Sequence, residues 1–288
     1  MSGLSEHTKL LNKMIALSMR TADFPKTLMD NGYVLECIEP RFLIADGSQI
    51  ALDLQFMSLV ENNILFVECK DGGVEKDQLN RYKKVGIEDL KRQKISAVPT
   101  DKLKFDLGYI GSNKSKIKLL DSIQYDANPF PILISYPDKI CLTSTAPNIF
   151  QSDKLNAIFQ NLSCPSYPPS MFLPFTVDDS DYFILPYILT LLATKTNTTF
   201  TVNQIIHEIF GNALPYFSKD AEDALKSRVG RMIKEIAELP ELKEILFLKD
   251  GQWFIKARSM RSYQSACNKL VDKYRDEQST PKLTQFMD

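Results

Sequence analysis

Two carboxylates and a lysine stand in a pattern that could bind a divalent cation beside a phosphodiester. Glu68 and Lys70 follow an apolar run with Cys69 between them, and Asp53 lies one hairpin upstream. Because side chains alternate along a strand, Glu68 and Lys70 are expected on the same face. Converging carboxylates can hold a hard cation, and a neighbouring lysine can orient a water. The pattern therefore contains the groups that phosphodiester hydrolysis needs.

A β-hairpin is predicted to position these three residues. Apolar and polar residues alternate from Ile50 to Phe56, a turn is expected at Asn62-Asn63, and Ile64–Val67 returns as an apolar strand. Ladder pairing then brings Asp53 to within a residue or two of the level of Lys70. The sequence leaves the exact register open.

The predicted helix that follows, from Val74 to about Leu90, carries Gln78 and Tyr82 four residues apart on one face. With this helix, the first half of the chain resembles the PD-(D/E)XK, or restriction-endonuclease-like, nuclease superfamily. One departure is Leu52, which stands before Asp53 where the motif name has proline.

The resemblance implies both a fold and a site. The fold is α/β, with a mixed central sheet flanked by helices. Mg²⁺, or Mn²⁺ in its place, would be held by Asp53, Glu68 and the Cys69 carbonyl, while Lys70 acts on the attacking water. A glutamate from the first helix often joins such sites, and Glu6 is the candidate, followed by Glu36 and Glu39. The implied catalytic residues are Asp53, Glu68, Lys70, Gln78 and Tyr82.

Composition limits the classes of protein that this chain can be. Its 288 residues suit two domains. Hydrophobic residues make up 44% of the chain, which is enough to fill sizeable cores. No run of eighteen apolar residues and no secretory signal is evident, so neither a membrane span nor export is expected. The five cysteines are scattered without a C-x-x-C, which favours reduced thiols and a cytoplasmic location.

Charge is nearly balanced over the chain but is uneven along it. A formal net charge of -1 argues against a protein that coats nucleic acid indiscriminately. Basic residues nevertheless follow the candidate site, and Arg81, Lys83 and Lys84 are the expected phosphate contacts. Three alternating lysines, Lys114 to Lys118, would share one face of a strand. A solvated surface is the simpler explanation for any single one of these side chains.

The order of the predicted elements indicates a two-part chain. Residues 1–164 are assigned to the nuclease-like domain, 165–180 to a proline-rich linker, 181–258 to a second domain, and 259–288 to a last helix and tail. The remaining elements expected in the first domain are helices over 5–29 and 155–162 and strands at 33–38, 42–44, 131–136 and 140–142.

The second domain resembles a winged helix-turn-helix over about residues 180–256. Three helices are expected, the second opened by a capping box at Thr201 and ended by Gly211. Asp250-Gly251 then predicts a tight hairpin. Such modules usually place the third helix in the DNA major groove and the wing on the backbone. The expected nucleic-acid contacts are Arg231, Lys234, Lys249 and Lys256; protein contact is the alternative use of this module.

Two functions therefore follow from the sequence. One is a Mg²⁺-dependent DNA endonuclease, whose domain order is similar to the cutting subunit of heteromeric Tn7-like transposases and to some restriction and phage-defence nucleases. DNA is its expected partner, with a second protein or another copy of the chain as further possibilities. The other is a non-catalytic DNA- or protein-binding regulator in which Asp53, Glu68 and Lys70 form a structural ion-pair group.

Overall fold

Two compact units make up the protein in the computed structural model, which describes residues 4–20, 24–92, 101–124, 129–143, 149–166, 172–195, 199–256 and 259–279. The first unit comprises Glu6–Leu173 together with Pro215–Asp220. The second comprises Met1–Ser5, Pro174–Leu214 and Ala221–Asp288. The division after Leu173 falls inside the predicted linker, whereas the segment from Pro215 to Asp220 belongs to the first unit and not to the predicted second domain.

The first unit contains helices and strands in mixed order. In chain order these are α1 (Glu6–Leu17), α2 (Thr27–Asp30), β1 (Tyr33–Ile38), β2 (Arg41–Leu43), β3 (Gln49–Ala51), β4 (Leu54–Ser58), β5 (Asn63–Lys70), α3 (Lys76–Tyr82), α4 (Ile87–Arg92), β6 (Lys104–Ser112), α5 (Lys116–Gln124), β7 (Ile132–Ser135), β8 (Lys139–Leu142), α6 (Asp153–Phe159) and β9 (Leu162–Ser163).

Seven of these strands form a mixed sheet in the order β1-β4-β5-β6-β7-β8-β9. The pairs β5/β6 and β6/β7 are parallel, and the other neighbours are antiparallel. Strand β5 lies inside the sheet and is buried from Asn63 to Cys69, as its nearly continuous apolar run requires. The predicted α/β fold with a mixed central sheet flanked by helices is confirmed.

The register of the β4–β5 hairpin places Asp53 where the sequence predicted. Leu54 pairs with Val67, so Asp53 is level with Glu68 and two residues from Lys70. The predicted single strand from Ile50 to Phe56 is interrupted, however. Strand β3 pairs with β2 in a separate two-stranded sheet, and Asp53 lies in the bend before β4. Because Asp53 lies in a bend and not in a strand, the alternation of side chains along β4 does not set the direction of its side chain.

Two predictions about the segment after the hairpin were wrong. The helix expected from Val74 to Leu90 is two helices, α3 and α4, separated at residues 83–86. Lys116 and Lys118 lie on helix α5 and not on a strand. The long strand in this region is β6, whose two glycines lower strand propensity. At Gly111 a Cβ atom would lie 2.5 Å from the Leu119 side chain, so a larger residue there would force that buried side chain to shift.

The second unit contains four helices, a 3-10 helix and a small sheet among its described residues. These are α7 (Asp181–Ala193), β10 (Thr199–Phe200), α8 (Val202–Phe210), the 3-10 helix Gly211–Tyr216, α9 (Lys219–Ala237), β11 (Leu246–Lys249), β12 (Gln252–Ile255) and α10 (Met260–Ser279). The first residues of α9 and the end of the 3-10 helix belong to the first unit. The sheet is antiparallel, in the order β10-β12-β11.

Local sequence signals in the second unit are confirmed. Thr201 and Gln204 form the predicted capping box of α8, and Gly211 ends that helix with a φ of 46°. Asp250 and Gly251 also have positive φ, as a two-residue hairpin requires. The apolar stripe of α9 is buried throughout: Leu225, Val229, Met232, Ile233 and Ile236.

Helix α10 packs against α7, and its residues Tyr263, Leu270 and Val271 are buried. The tail beyond Ser279 lies outside the described residues. Among the helices that the structure describes, none combines the length and the apolar character needed to cross a membrane. All five cysteines are free thiols.

Candidate active site

Asp53, Glu68 and Lys70 come together at the carboxyl end of β5, where the parallel strands of the sheet also end. Lys70 Nζ lies 2.9 Å from Glu68 Oε1. Asp53 Oδ2 accepts a hydrogen bond of 2.6 Å from the Cys69 backbone N–H. Ligands bind in α/β sheets at this end of the strands. The three residues that the sequence singled out thus form one cluster.

Two side chains of helix α3, Gln78 and Tyr82, hold this cluster in place by hydrogen bonds. Gln78 Oε1 accepts a 2.7 Å hydrogen bond from Lys70 Nζ, and its Nε2 donates one of 2.7 Å to Glu68 Oε1. The same Nε2 lies 2.9 Å from the Tyr82 hydroxyl, which donates to the Ala51 carbonyl at 2.6 Å. One amide therefore orients both members of the Glu68–Lys70 pair, and Tyr82 orients the amide.

Helix α1 reaches the cluster with a histidine. His7 Nε2 lies 3.1 Å from Asp53 Oδ1. Glu6, the glutamate expected at the site, instead binds Lys9 at 2.7 Å and Lys114 at 3.4 Å. The sequence indicated that His7 faces the core, because it continues the helical stripe of Leu10, Leu11 and Met14. Glu6 lies off that stripe.

The two weaker acidic candidates lie on or beside β1. Glu36 is exposed on that strand. Glu39 has a φ of 52° and lies 3.7 Å from Arg41. The Glu39 backbone N–H donates a 2.8 Å hydrogen bond to the Asp53 carbonyl, so Glu39 contacts Asp53 through the main chain.

Burial controls the protonation of the cluster. Burial and the charge of Asp53 raise the pKa of Glu68 to about 7, against the opposing effect of Lys70. Burial also lowers the pKa of Lys70, but the charge and hydrogen bond of Glu68 outweigh burial and the net change is upward. Burial and the carboxylate charges raise the pKa of Tyr82 well above its ordinary value. At neutral pH the lysine is therefore charged and the tyrosine is a hydrogen-bond donor.

A family model for the MJECL32 domain matches residues 6–173 of this chain. The match covers more than half of the sequence and has the same limits as the continuous part of the first unit. The chain belongs to the MJECL32 domain family. No curated protein and no solved structure matches it significantly.

The MJECL32 domain contains the whole cluster, together with His7, Gln78 and Tyr82. Among the predicted site residues, those of the second unit lie outside it. Arg231 bonds Glu235 at 3.0 Å and lies 3.4 Å from Asp181. The other three predicted contacts of this unit are exposed and form no ion pair with described residues: Lys234, Lys249 and Lys256.

The oxygens of the MJECL32 domain cluster fit a hard divalent cation. Glu68 is 5% exposed, and its Oε2 atom is buried without a hydrogen bond from any described residue. Asp53 supplies a second carboxylate at the same level of the hairpin. No three His, Cys, Asp or Glu side chains are grouped as a metal site in the described ranges. Mg²⁺ fits this short donor set because it keeps several waters and binds proteins through one or two carboxylates.

Basic side chains flank the MJECL32 domain cluster on the α3 side. Arg81 and Lys83 are exposed and form no ion pair in the described part of the chain, whereas Lys84 binds Asp46 at 2.8 Å. An open cleft of about 420 Å³ adjoins the same helix. Its lining residues are Ser48, Gln49, Ala51, Gln78, Arg81 and Tyr82.

Proposed function

We propose that this protein is a Mg²⁺-dependent endonuclease that hydrolyses DNA phosphodiester bonds, in transposition or in restriction and phage defence. The observation that carries the proposal is the convergence of Asp53, Glu68 and Lys70 at the carboxyl end of β5, held by Gln78. A purely structural ion pair would not require a buried carboxylate oxygen without a hydrogen bond, because such an atom costs stability.

Each residue of the cluster has its own role in the proposed hydrolysis. Bound at the Asp53 and Glu68 oxygens and the Cys69 carbonyl, Mg²⁺ would stabilise the charge that develops on the phosphate. Lys70 holds the attacking water or a non-bridging oxygen, and Gln78 fixes the lysine by its 2.7 Å hydrogen bond. Attack by one water breaks the P–O3′ bond and leaves a 5′-phosphate and a 3′-hydroxyl.

We propose that the second unit is a winged helix-turn-helix with β11 and β12 as the wing; its helices followed by a hairpin support this. We propose that it holds the DNA backbone through Lys234, Lys249 and Lys256 and does not read bases with α9. Two observations support this: Arg231 is bound by Glu235, and Glu222 and Asp223 place negative charge in the part of α9 nearest its N-terminus. That part of a recognition helix normally contacts the base edges.

A second candidate function is supported by the surface of the wing. Phe247 and Leu248 are 37% and 46% exposed on β11, and Phe247 stacks on Phe254. An apolar wing suits contact with a protein, so the protein could instead be a non-catalytic regulator that binds a partner.

A plasmid-cleavage assay separates the two functions. With Mg²⁺ or Mn²⁺ the wild type is expected to nick or linearise supercoiled plasmid, and EDTA is expected to stop it. Lys70→Ala should lower the rate at least about 100-fold, because it removes a donor to the developing charge. Circular dichroism should show that the fold is retained.

Lys104→Gln is the charge-matched control. Lys104 is exposed at the opposite end of β6, and β6 pairs with β5 in parallel, so the control lies far from Lys70. It should cleave like the wild type. A wild type that binds DNA or a protein partner but never cleaves with either metal would establish the regulator instead.

A further inference from the structure

We propose that the cleft beside α3 binds one nucleotide of a DNA strand through its phosphate, with Arg81 as the phosphate-binding residue. This inference rests on the proposed function, because it names the substrate group that lies next to the candidate active site. Three features of the cleft carry it: its position, its size and its polar lining.

The cleft adjoins the catalytic cluster through shared side chains. Gln78 and Tyr82 line it, and Gln78 bonds both Lys70 and Glu68 at 2.7 Å. The opposite wall is strand β3 with the turn before it, which contributes Ser48, Gln49 and Ala51. A strand whose reacting phosphate lay at Lys70 would therefore place a neighbouring nucleotide in this cleft.

The turn before β3 is fixed against the helical region, so the cleft has a defined width. Lys84 binds Asp46 at 2.8 Å, and the Tyr82 hydroxyl donates to the Ala51 carbonyl at 2.6 Å. These contacts hold the separate β2–β3 sheet beside α3, although it does not pair with the central sheet. Tertiary contacts therefore join the two segments that line the cleft.

The size and lining of the cleft suit a single nucleotide. Its volume of about 420 Å³ lies at the lower end of the range for small-ligand pockets, roughly 300–1,000 Å³. Arg81 supplies a guanidinium that forms no ion pair with described residues, and such a group binds phosphate in a bidentate manner. Gln49 and Ser48 supply an amide and a hydroxyl that can donate to or accept from a sugar or a base.

Equilibrium binding in EDTA tests the cleft without any dependence on metal or cleavage. The ligands are thymidine 5′-monophosphate, thymidine, and a single-stranded oligothymidylate of eight residues. The monophosphate and the oligonucleotide should bind, and thymidine should bind at least about tenfold more weakly because it lacks the charged group. Arg81→Gln should weaken both phosphate ligands about tenfold, and Arg81→Lys should weaken them less.

Lys104→Gln again controls for the loss of one positive charge. Equal weakening by Arg81→Gln and Lys104→Gln would mean diffuse attraction and would overturn the site, as would equal binding of thymidine and its monophosphate. Binding of the monophosphate without the oligonucleotide would assign the cleft to free nucleotides and overturn its role in holding a strand.

The two proposals can fail separately. If the wild type cleaves plasmid and Arg81→Gln leaves both nucleotide binding and cleavage unchanged, the cleft inference is wrong and the nuclease proposal stands. If the phosphate ligands bind through Arg81 but no metal supports cleavage, the nuclease proposal fails and the phosphate site stands.

Discussion

Glu68 is the residue on which the proposed hydrolysis depends most directly. Its side chain is almost fully buried. Its Oε1 atom contacts both Lys70 and Gln78, whereas its Oε2 atom has no hydrogen bond in the described structure. A buried carboxylate in this state favours its neutral form, and burial accordingly raises its pKa to about 7. The cation that we propose at Glu68 would therefore have to displace a proton when the pH is below about 7.

The pH dependence of stability should reveal this proton. Between roughly pH 4.5 and 7 the folded metal-free protein keeps Glu68 protonated while the unfolded chain has lost the proton. Stability is therefore expected to fall as pH rises through this range, by roughly 3 kcal/mol in total. Urea unfolding of wild type and Glu68→Gln in EDTA measures the effect as the difference between the two proteins.

Glu61→Gln removes a carboxylate from the turn of the same hairpin and serves as the control. It should reproduce the wild-type slope with pH, whereas Glu68→Gln should flatten it. Identical slopes for wild type and Glu68→Gln would show that Glu68 is ionised in the folded protein throughout this range.

At the scale of elements, α3 positions the site although it is only seven residues long. A helix of that length is marginal by itself, so tertiary contacts must hold it. Leu79 and Tyr82 are buried, and Tyr82 both fixes Gln78 and binds the Ala51 carbonyl. The hydroxyl of Tyr82 thus connects the helix, the β3 strand and the Gln78 amide.

Tyr82→Phe should lower the stability of the protein and slow plasmid cleavage. Removal of the hydroxyl leaves the Ala51 carbonyl and one Gln78 donor without their partner, which costs about 1–3 kcal/mol. Plasmid cleavage should slow about tenfold as Gln78 loses its fixed orientation. Thermal unfolding and initial cleavage rates measure the two effects.

Tyr109→Phe is a matched control from the same aromatic pair. Tyr109 stacks on Tyr82 with ring centroids 6.4 Å apart, but its buried hydroxyl has no hydrogen bond to any described residue. Its removal should leave stability unchanged or raised and cleavage unchanged. Equal losses in the two variants would show that the Tyr82 hydroxyl has no special positioning role.

At the scale of the whole molecule, the segment that matches the MJECL32 family model is not identical to the first compact unit. The family match ends at residue 173, but the first unit also includes Pro215–Asp220. Within that unit, Phe217 bridges Ile38 at the end of β1, and the Ser218 N–H donates to the Ile38 carbonyl at 3.0 Å. A segment distant in sequence therefore completes the edge of the central sheet.

Phe217→Ala should destabilise the first unit although it lies outside the family segment. Phe217 is 7% exposed, and truncation of a buried phenylalanine costs about 3–5 kcal/mol. Far-UV circular dichroism follows both units, whereas the fluorescence of Trp253, the single tryptophan, reports on the second. The dichroism midpoint should fall more than the fluorescence midpoint.

Phe247→Ala, at an exposed phenylalanine of β11, should shift neither midpoint by much. An unchanged dichroism midpoint in Phe217→Ala would contradict the assignment of residues 215–220 to the first unit. So would a larger shift in the fluorescence midpoint than in the dichroism midpoint.

The sequence by itself determined what depends on neighbours along the chain. Alternation placed Glu68 and Lys70 on one face, Thr201 and Gly211 bounded α8, and Asp250-Gly251 closed a hairpin, because each follows from local backbone geometry. Tertiary structure alone decided that β3 pairs outside the central sheet and that residues 215–220 join the first unit. These outcomes depend on packing between segments far apart in sequence, and no local pattern encodes them.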